Sequence, residues 1–240
     1  MPKMKSLSFQ RARRPAQIQQ RKEAILRAAL ALFQKNGLAN VSLNDIAREV
    51  GTAKSNIYRY FESREHIYLR LLQRLADKWE KRAYPPLKKL SRRGTIAKVA
   101  DILTEAYMDS NEYGELVTVV NSGFEKNLTP ALVVDFRSVF LERRKRFAEA
   151  LASALPNTTA ERLLPLTLHI FVHVPGLWPF CHPTPASKKM LEDPQFAHLN
   201  LDFKVEMARF LQLILKELSI PNPSRGRSSE LTNAHKRATM

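Results

Sequence analysis

Residues 42–61 read SLNDIAREVGTAKSNIYRYF, and their spacing decides the fold. Ser42 followed by Asp45 is a capping-box start with Asp in place of the usual Glu, so each side chain can satisfy an amide at the helix entrance. Leu43, Ile46, Ala47 and Val50 then give that helix one apolar face. Gly51 breaks it after about two turns, where the chain needs a positive φ. Ala47 is small where a following helix must cross closely, and Ile57 plugs the core from that second helix, with Ile46 and Val50 completing the wedge. The second helix, near 53–60, carries Thr52, Lys54, Ser55, Asn56, Tyr58 and Arg59 on its outer side. Two short helices joined at a glycine, with donors crowded onto the second, read as a helix-turn-helix that meets the acceptors of a DNA major groove.

The flanks extend this reading. Ile25, Ala28, Ala29, Leu32 and Phe33 form one helical stripe in a helix that starts near residue 17. Asn36-Gly37 ends it, with Gly37 suited to a left-handed C′ position and Leu38 folding back on the last turn. Ser63 caps a fourth helix with Glu65 in its first turn, running to about Arg82 ahead of Pro85-Pro86. Beyond that break the pattern stays helical near 94–109, 111–126, 130–154, 159–180 and 202–219, with 181–200 an irregular connection holding at most a short helical piece.

Residues 21–68 resemble the DNA-binding domain of the TetR family of bacterial transcriptional regulators. The matching pieces are Ala31-Leu32-Phe33, Asn36-Gly37, Val41-Ser42-Leu43, Asp45-Ile46-Ala47, Gly51, Lys54, Ile57-Tyr58-Arg59-Tyr60-Phe61 and Ser63-Arg64-Glu65. Two positions depart from the family pattern: Ala53 stands where Ser or Thr is common, and Ser55 where Gly or Pro is common. The resemblance implies an all-α chain of about nine helices. A basic arm (1–16) would lead into the helix-turn-helix domain (17–64), then an effector-binding and dimerisation domain (65–220, linking helix 64–82), then a disordered tail (221–240). It further implies that Ser42 and Arg64 contact phosphates, that Thr52, Lys54, Ser55 and Asn56 address bases or nearby phosphates, and that Tyr58 and Arg59 touch the backbone or groove edge.

Charge agrees with a polyanionic partner. The chain has 39 Lys and Arg against 23 Asp and Glu; residues 1–80 carry a net +9, residues 81–220 only +4 and residues 221–240 +3. Lys3, Lys5, Arg11, Arg13 and Arg14 lie in the arm, which has no acid. The single cysteine, Cys181, excludes an intrachain disulfide and fits a reducing cytoplasm. Leu163–Phe180 approaches the length of a membrane span, but Pro165, Pro175, Pro179, Gly176, Thr167, His169 and His173 favour a helix buried in protein, so no membrane partner is expected.

No nucleophile elbow, P-loop or dinucleotide fingerprint occurs, so the chain reads as a non-enzyme without a cofactor. His169, His173, Cys181 and His182 invite a metal, yet they lack HExxH and CxxC spacing, and no metal is expected. The apolar surplus of the helices near 159–180 and 202–219 matches the family's four-helix homodimer interface. Polar or aromatic residues on otherwise apolar faces are the candidates for an effector pocket: Tyr107, Met108, Asn121, Phe124, Phe136, Phe140, His173 and Trp178. With these features, the resemblance implies a homodimeric repressor of a palindromic operator, released by a small molecule. The alternative is a TetR-like structural or nucleoid-associated DNA binder without a ligand.

Overall fold

The computed structural model describes residues 4–109, 111–121 and 124–217, without the side chains of 4–14, 121, 125 and 126. The expected tail at 221–240 lies outside the described residues, as do the side chains of Lys3, Lys5, Arg11, Arg13 and Arg14. Ten α-helices and three short 3-10 helices occur among the described residues, with no strand. They are α1 (Met4–Asn36), α2 (Leu43–Val50), α3 (Lys54–Ile57), α4 (Arg64–Lys89), α5 (Ile96–Met108), α6 (Asn111–Asn121), α7 (Pro130–Ala154), α8 (Ala160–Cys181), α9 (Pro185–Met190) and α10 (Phe203–Lys216). The chain is all-α, as its periodicity requires.

Four boundaries differ from expectation. α6 ends at Asn121 rather than near 126, with a separate 3-10 helix at Phe124–Asn127. The first helix begins at Met4 rather than near residue 17, so the backbone of 4–16 is the start of α1 and not a separate arm. MKSLSFQRARR contains neither Gly nor Pro, and Pro15 removes only one amide from the helical ladder. The fourth helix does not stop near Arg82 but continues through Pro85-Pro86 to Lys89. Ala83 and Leu87, both fully buried, hold the last turns onto the core across the two missing donors. The second helix of the motif is only four residues long, Lys54–Ile57, against the expected 53–60.

The DNA-binding domain packs as its sequence spacing demands. Ile46 and Ile57 are fully buried, and Ala47 nearly so, where α2 crosses its neighbours. Gly51 caps α2 in the left-handed region, φ 72° and ψ 40°. Gly37 also takes a positive φ, 70°, but with ψ 159°, a conformation open almost only to glycine and not the left-handed C′ one; Leu38 buries against α1 as expected. The second domain stacks α7 and α6 on α8, and α10 on α5 and α8, while α4 packs against α1, α5, α6 and α7. α4 is therefore the element shared by both cores.

α8 keeps its helix despite Pro165, Pro175 and Pro179. The proline at 179 leaves the Pro175 carbonyl without its helical donor, and the Thr118 hydroxyl of α6 lies 3.4 Å from that oxygen. The 181–200 connection holds two helical pieces, α9 and a 3-10 helix at Pro194–Leu199, each begun by a side-chain cap, Thr184 or Asp193.

Candidate nucleic-acid interface and adjoining cavity

The DNA-facing surface is assembled from the capping box outward. The Ser42 amide donates to Asp45 Oδ2 at 2.9 Å, and the Asp45 amide returns to Ser42 Oγ at 3.2 Å. The Ser42 hydroxyl also donates to Asp45 Oδ2, at 2.6 Å; this bond first, and then that of the Ser42 amide, hold the Asp45 carboxyl below its usual range. Lys54, Ser55, Asn56 and Arg59 are all exposed, and Tyr58 is 51% exposed, with the Lys54 ammonium 5.9 Å from its ring centroid. Thr52 is half-buried and accepts from Asn56 Nδ2 at 3.1 Å, which fixes the orientation of the Asn56 amide. Ala53 caps α3 with no side-chain bond.

Arg64 stands apart from this set. Its guanidinium is half-buried, donates to the Val41 carbonyl at 3.0 Å and pairs with Glu65 at 3.2 Å. It buttresses the start of α2 from the start of α4. Sequence reasoning also missed a groove between α1 and the motif, lined by Gln17, Gln20, Arg21, Arg27, Arg59 and Tyr60. Arg21 and Arg27 are exposed there. Their six-residue separation on the polar side of α1 was visible, but nothing in it said which side faces the motif.

A cavity of about 590 Å³ lies between α4, α6, α7 and α8. Leu72, Gln73 and Ala76 of α4, Tyr113, Val117 and Thr118 of α6, and Phe136, Arg137, Val139, Phe140 and Arg143 of α7 line it. α8 contributes Leu168, Phe171, Val172, Pro175 and Gly176. The lining is mainly apolar, and volume and chemistry both fall in the range of small-molecule sites. Arg143 is buried and donates to Asp77 and Glu80, each at 2.5 Å, and to the Gln73 carbonyl at 2.8 Å. Burial alone would lower its pKa; the Asp77 hydrogen bond and the Glu80 charge outweigh it and raise the value.

Of the eight effector candidates read from the sequence, the fold brings two, Phe136 and Phe140, to this lining. Tyr107 is fully buried against Trp79, ring centroids 4.9 Å apart, and burial pushes its hydroxyl pKa well up. Phe124 is buried near Tyr68, 6.4 Å between centroids, and Met108 is exposed. Trp178 stacks on His182 at 3.7 Å, and half-buried His173 stacks on Phe210 at 3.6 Å. The Asn121 side chain lies outside the described residues. Cys181, half-buried, has its thiol pushed up to about 11 by burial, and His169 is exposed on another face of α8. No group of three or more His, Cys, Asp or Glu side chains arranged for a metal occurs among the described residues.

Comparison with known proteins decides the family. Residues 25–71 match the model of the bacterial regulatory proteins of the tetR family, and residues 70–221 match the tetracyclin repressor-like C-terminal domain. The chain belongs to the TetR family. As a TetR-family transcriptional regulator it binds DNA through its helix-turn-helix. An uncharacterised helix-turn-helix transcriptional regulator of Lactococcus lactis is 31% identical over 164 residues, covering 65% of this chain and 80% of its own. The regulator RutR of Escherichia coli is 36% identical over 67 residues, only 28% of this chain and 32% of RutR.

Solved structures share the fold at low identity. A transcriptional regulator from Rhodococcus aligns over 82% of this chain and 96% of its own, at TM-score 0.52 and 17% identity. The TetR-family repressor FadR of Thermus thermophilus, solved in complex with lauroyl-CoA, aligns over 84% and 96%, at TM-score 0.50 and 16% identity.

Proposed function

We propose that this regulator is a cytoplasmic repressor that binds a palindromic operator as a homodimer through α8 and α10 and leaves it when a small, largely apolar molecule fills the cavity. The observation that carries the reading is the cavity itself. Leu72, Gln73 and Ala76 belong to the same continuous helix whose first residues, Arg64 and Glu65, adjoin the DNA-binding motif. A molecule that separates α4 from α7 therefore acts on an element of both domains. The lauroyl-CoA bound by the Thermus FadR, a molecule with a long apolar chain, accords with an apolar lining of this kind.

On the DNA side, Ser55 and Asn56 read base edges, while Ser42, Lys54, Tyr58 and Arg59 hold phosphates or the groove edge, with Thr52 orienting Asn56. The buttressing bonds of Arg64 give it a supporting role rather than a direct phosphate contact. Arg21 and Arg27 add cations beside Arg59.

Operator selection from a random library, with the region upstream of the protein's own gene included, tests this proposal. The expected product is a two-fold symmetric site, with equivalent recognition helices about 34–36 Å apart along the duplex. A single asymmetric site would sink the homodimer reading. A metabolite screen by thermal shift separates a ligand-released repressor from a DNA binder without a ligand: a saturable shift that also releases operator supports the first.

A further inference from the structure

Four buried polar atoms without a hydrogen-bond partner among the described residues lie in one cluster: Trp79 Nε1, the Tyr84 and Tyr107 hydroxyls and Arg143 Nε. The Trp79 ring lies 6.0 Å from that of Tyr84 and 4.9 Å from that of Tyr107. Arg143 of α7 grips Asp77 and Glu80, which flank Trp79 along α4. Buried polar groups are paired as a rule, so this many strays in one place need a reason.

Tyr113 of α6 joins the cluster to the cavity. Its ring stacks on Tyr107, with 6.0 Å between centroids and 1° between planes, and lies 6.5 Å from Trp79. It also lines the cavity, as does Arg143, and the two are only 5% and 8% exposed. One wall of a mainly apolar cavity therefore backs onto polar atoms that nothing satisfies.

The cluster gives protons and takes few. An indole N–H and a guanidinium Nε only donate, and a phenol does both. Burial pushes the hydroxyl pKa values of Tyr84, Tyr107 and Tyr113 well up, so all three keep their protons. The neighbouring acceptors are taken: Asp77 by Arg143, Glu80 by Arg143 and Arg146, and Gln73 Oε1 by Arg70. Two cations thus face two carboxylates, and a buried ion would meet no net counter-charge there. An ammonium would find donors where it needs acceptors. Arg137, the other charged residue of the lining, is exposed.

We infer that this cluster is the polar end of the effector site, and that the effector is an uncharged molecule with an apolar body and a hydrogen-bond-accepting carbonyl. Its oxygen meets the Tyr113 hydroxyl and Arg143 Nε at the cavity wall, with Trp79, Tyr84 and Tyr107 behind them. This rests on the ligand-released reading above and adds to it the chemical class of the ligand.

The test uses the full chain and four probes that share a naphthalene body: 2-acetylnaphthalene, 2-ethylnaphthalene, 2-naphthoate and 2-naphthylmethylammonium. Equilibrium dialysis reads binding, and fluorescence anisotropy of labelled operator reads release. The ketone should bind saturably, about tenfold or more tighter than the other three, and should release operator at the lowest concentration. Tyr113→Phe should bring the ketone down toward the hydrocarbon while leaving the hydrocarbon's affinity unchanged, which a loss of packing would not do. Tyr84→Phe/Tyr107→Phe deletes two stray hydroxyls and keeps the rings. Without ligand it should melt no lower than the wild type, and it should lose part of the ketone preference.

Equal affinity for ketone and hydrocarbon overturns the carbonyl and leaves a regulator with an apolar effector standing. Tightest binding by the naphthoate or the ammonium overturns the uncharged class. A ketone preference that survives both sets of Tyr→Phe changes puts the polar end elsewhere and overturns the inference. A lower melting point for Tyr84→Phe/Tyr107→Phe, with no ketone preference in the wild type, assigns the cluster to buried water only and overturns it too. A wild type that binds none of the four also overturns it, while operator selection judges the DNA-binding reading separately.

Discussion

Thr129 donates its hydroxyl to the Glu62 carboxylate at 3.1 Å, which ties the start of α7 directly to the DNA-binding domain. Arg70 and Asp135 add an ion pair at 3.0 Å between α4 and α7. The cavity residues Phe136, Val139 and Phe140 follow on the same helix. α7 thus offers a route from the cavity to the motif beside that of α4. Both contacts are solvent-exposed, but Thr129 also caps α7 by accepting from the Leu132 amide, so the double variant Thr129→Ala/Asp135→Asn should lose about 1–2 kcal/mol, most of it from the cap. Its effector response should nonetheless shrink several-fold, measured as the ratio of operator affinities with and without the first ligand from the thermal screen. An unchanged ratio would leave α4 as the sole route.

Arg143 anchors the other side of the same helix. Replacing it with Met keeps the stem but strands Asp77, Glu80 and the Gln73 carbonyl. Glu80 retains Arg146 at 3.2 Å, and Asp77 is largely exposed, so the loss should fall below the usual range for a fully buried pair, at about 2 kcal/mol. Urea denaturation measures it. A loss below about 0.5 kcal/mol would mean that the pair merely replaces hydration.

Gly114 packs directly beneath the Trp178 ring, where a Cβ would overlap the indole. Gly114→Ala must therefore move Trp178, and with it the contacts to His182 and Phe203. We expect a loss of about 1–3 kcal/mol from overpacking, despite the better helix propensity of Ala. Thermal unfolding checks the sign. A stabilised variant would show that the ring moves at no cost.

That glycine illustrates where sequence reading stops. Gly51 was legible because a turn with φ 72° leaves its trace in the chain itself, between two apolar stripes. Gly114 sits inside α6 and owes its role to a tryptophan 64 positions away, which no local pattern reports. The cavity was hidden for the same reason. Periodicity shows that Phe136, Phe140 and Trp178 avoid water, but only the packing of α4, α6, α7 and α8 separates the two at the cavity from the one in the core. Pro85-Pro86 misled because helix-breaking is a local cost, and the burial of Ala83 and Leu87 is a non-local gain.

Two histidines make stability depend on pH. Burial holds His66 and His173 below their ordinary value of 6.5; Arg70 adds repulsion at His66, while Glu206 partly offsets the effect at His173. The folded state therefore resists a proton that the unfolded chain accepts. Stability is unaffected well above pH 6.5 and falls as pH drops through that value, levelling off once both folded imidazoles are charged. Urea midpoints at pH 7.5 and 5.5 measure the drop, and His66→Asn/His173→Asn should remove part of it. A double variant with the full drop would assign it to other groups.

Exposed Lys54 and Thr52-tethered Asn56 separate the two kinds of DNA recognition. An ammonium on a flexible stem meets a phosphate as a point charge and carries no sequence information. Lys54→Ala should weaken operator and random DNA alike and reduce the salt slope by about 0.9 for each phosphate no longer neutralised. An amide presents a donor and an acceptor in fixed geometry, which suits an adenine edge. Asn56→Ala should weaken the operator by about 1–3 kcal/mol, leave random DNA nearly unchanged and keep the salt slope. Thr52→Val, which removes the hydroxyl that holds the Asn56 amide, should reproduce part of the specificity loss without touching the slope. Titrations of both DNAs across a salt series decide among these outcomes. If Asn56→Ala lowers the slope and Lys54→Ala relaxes base preference, the two roles are exchanged, and the lysine is the reader.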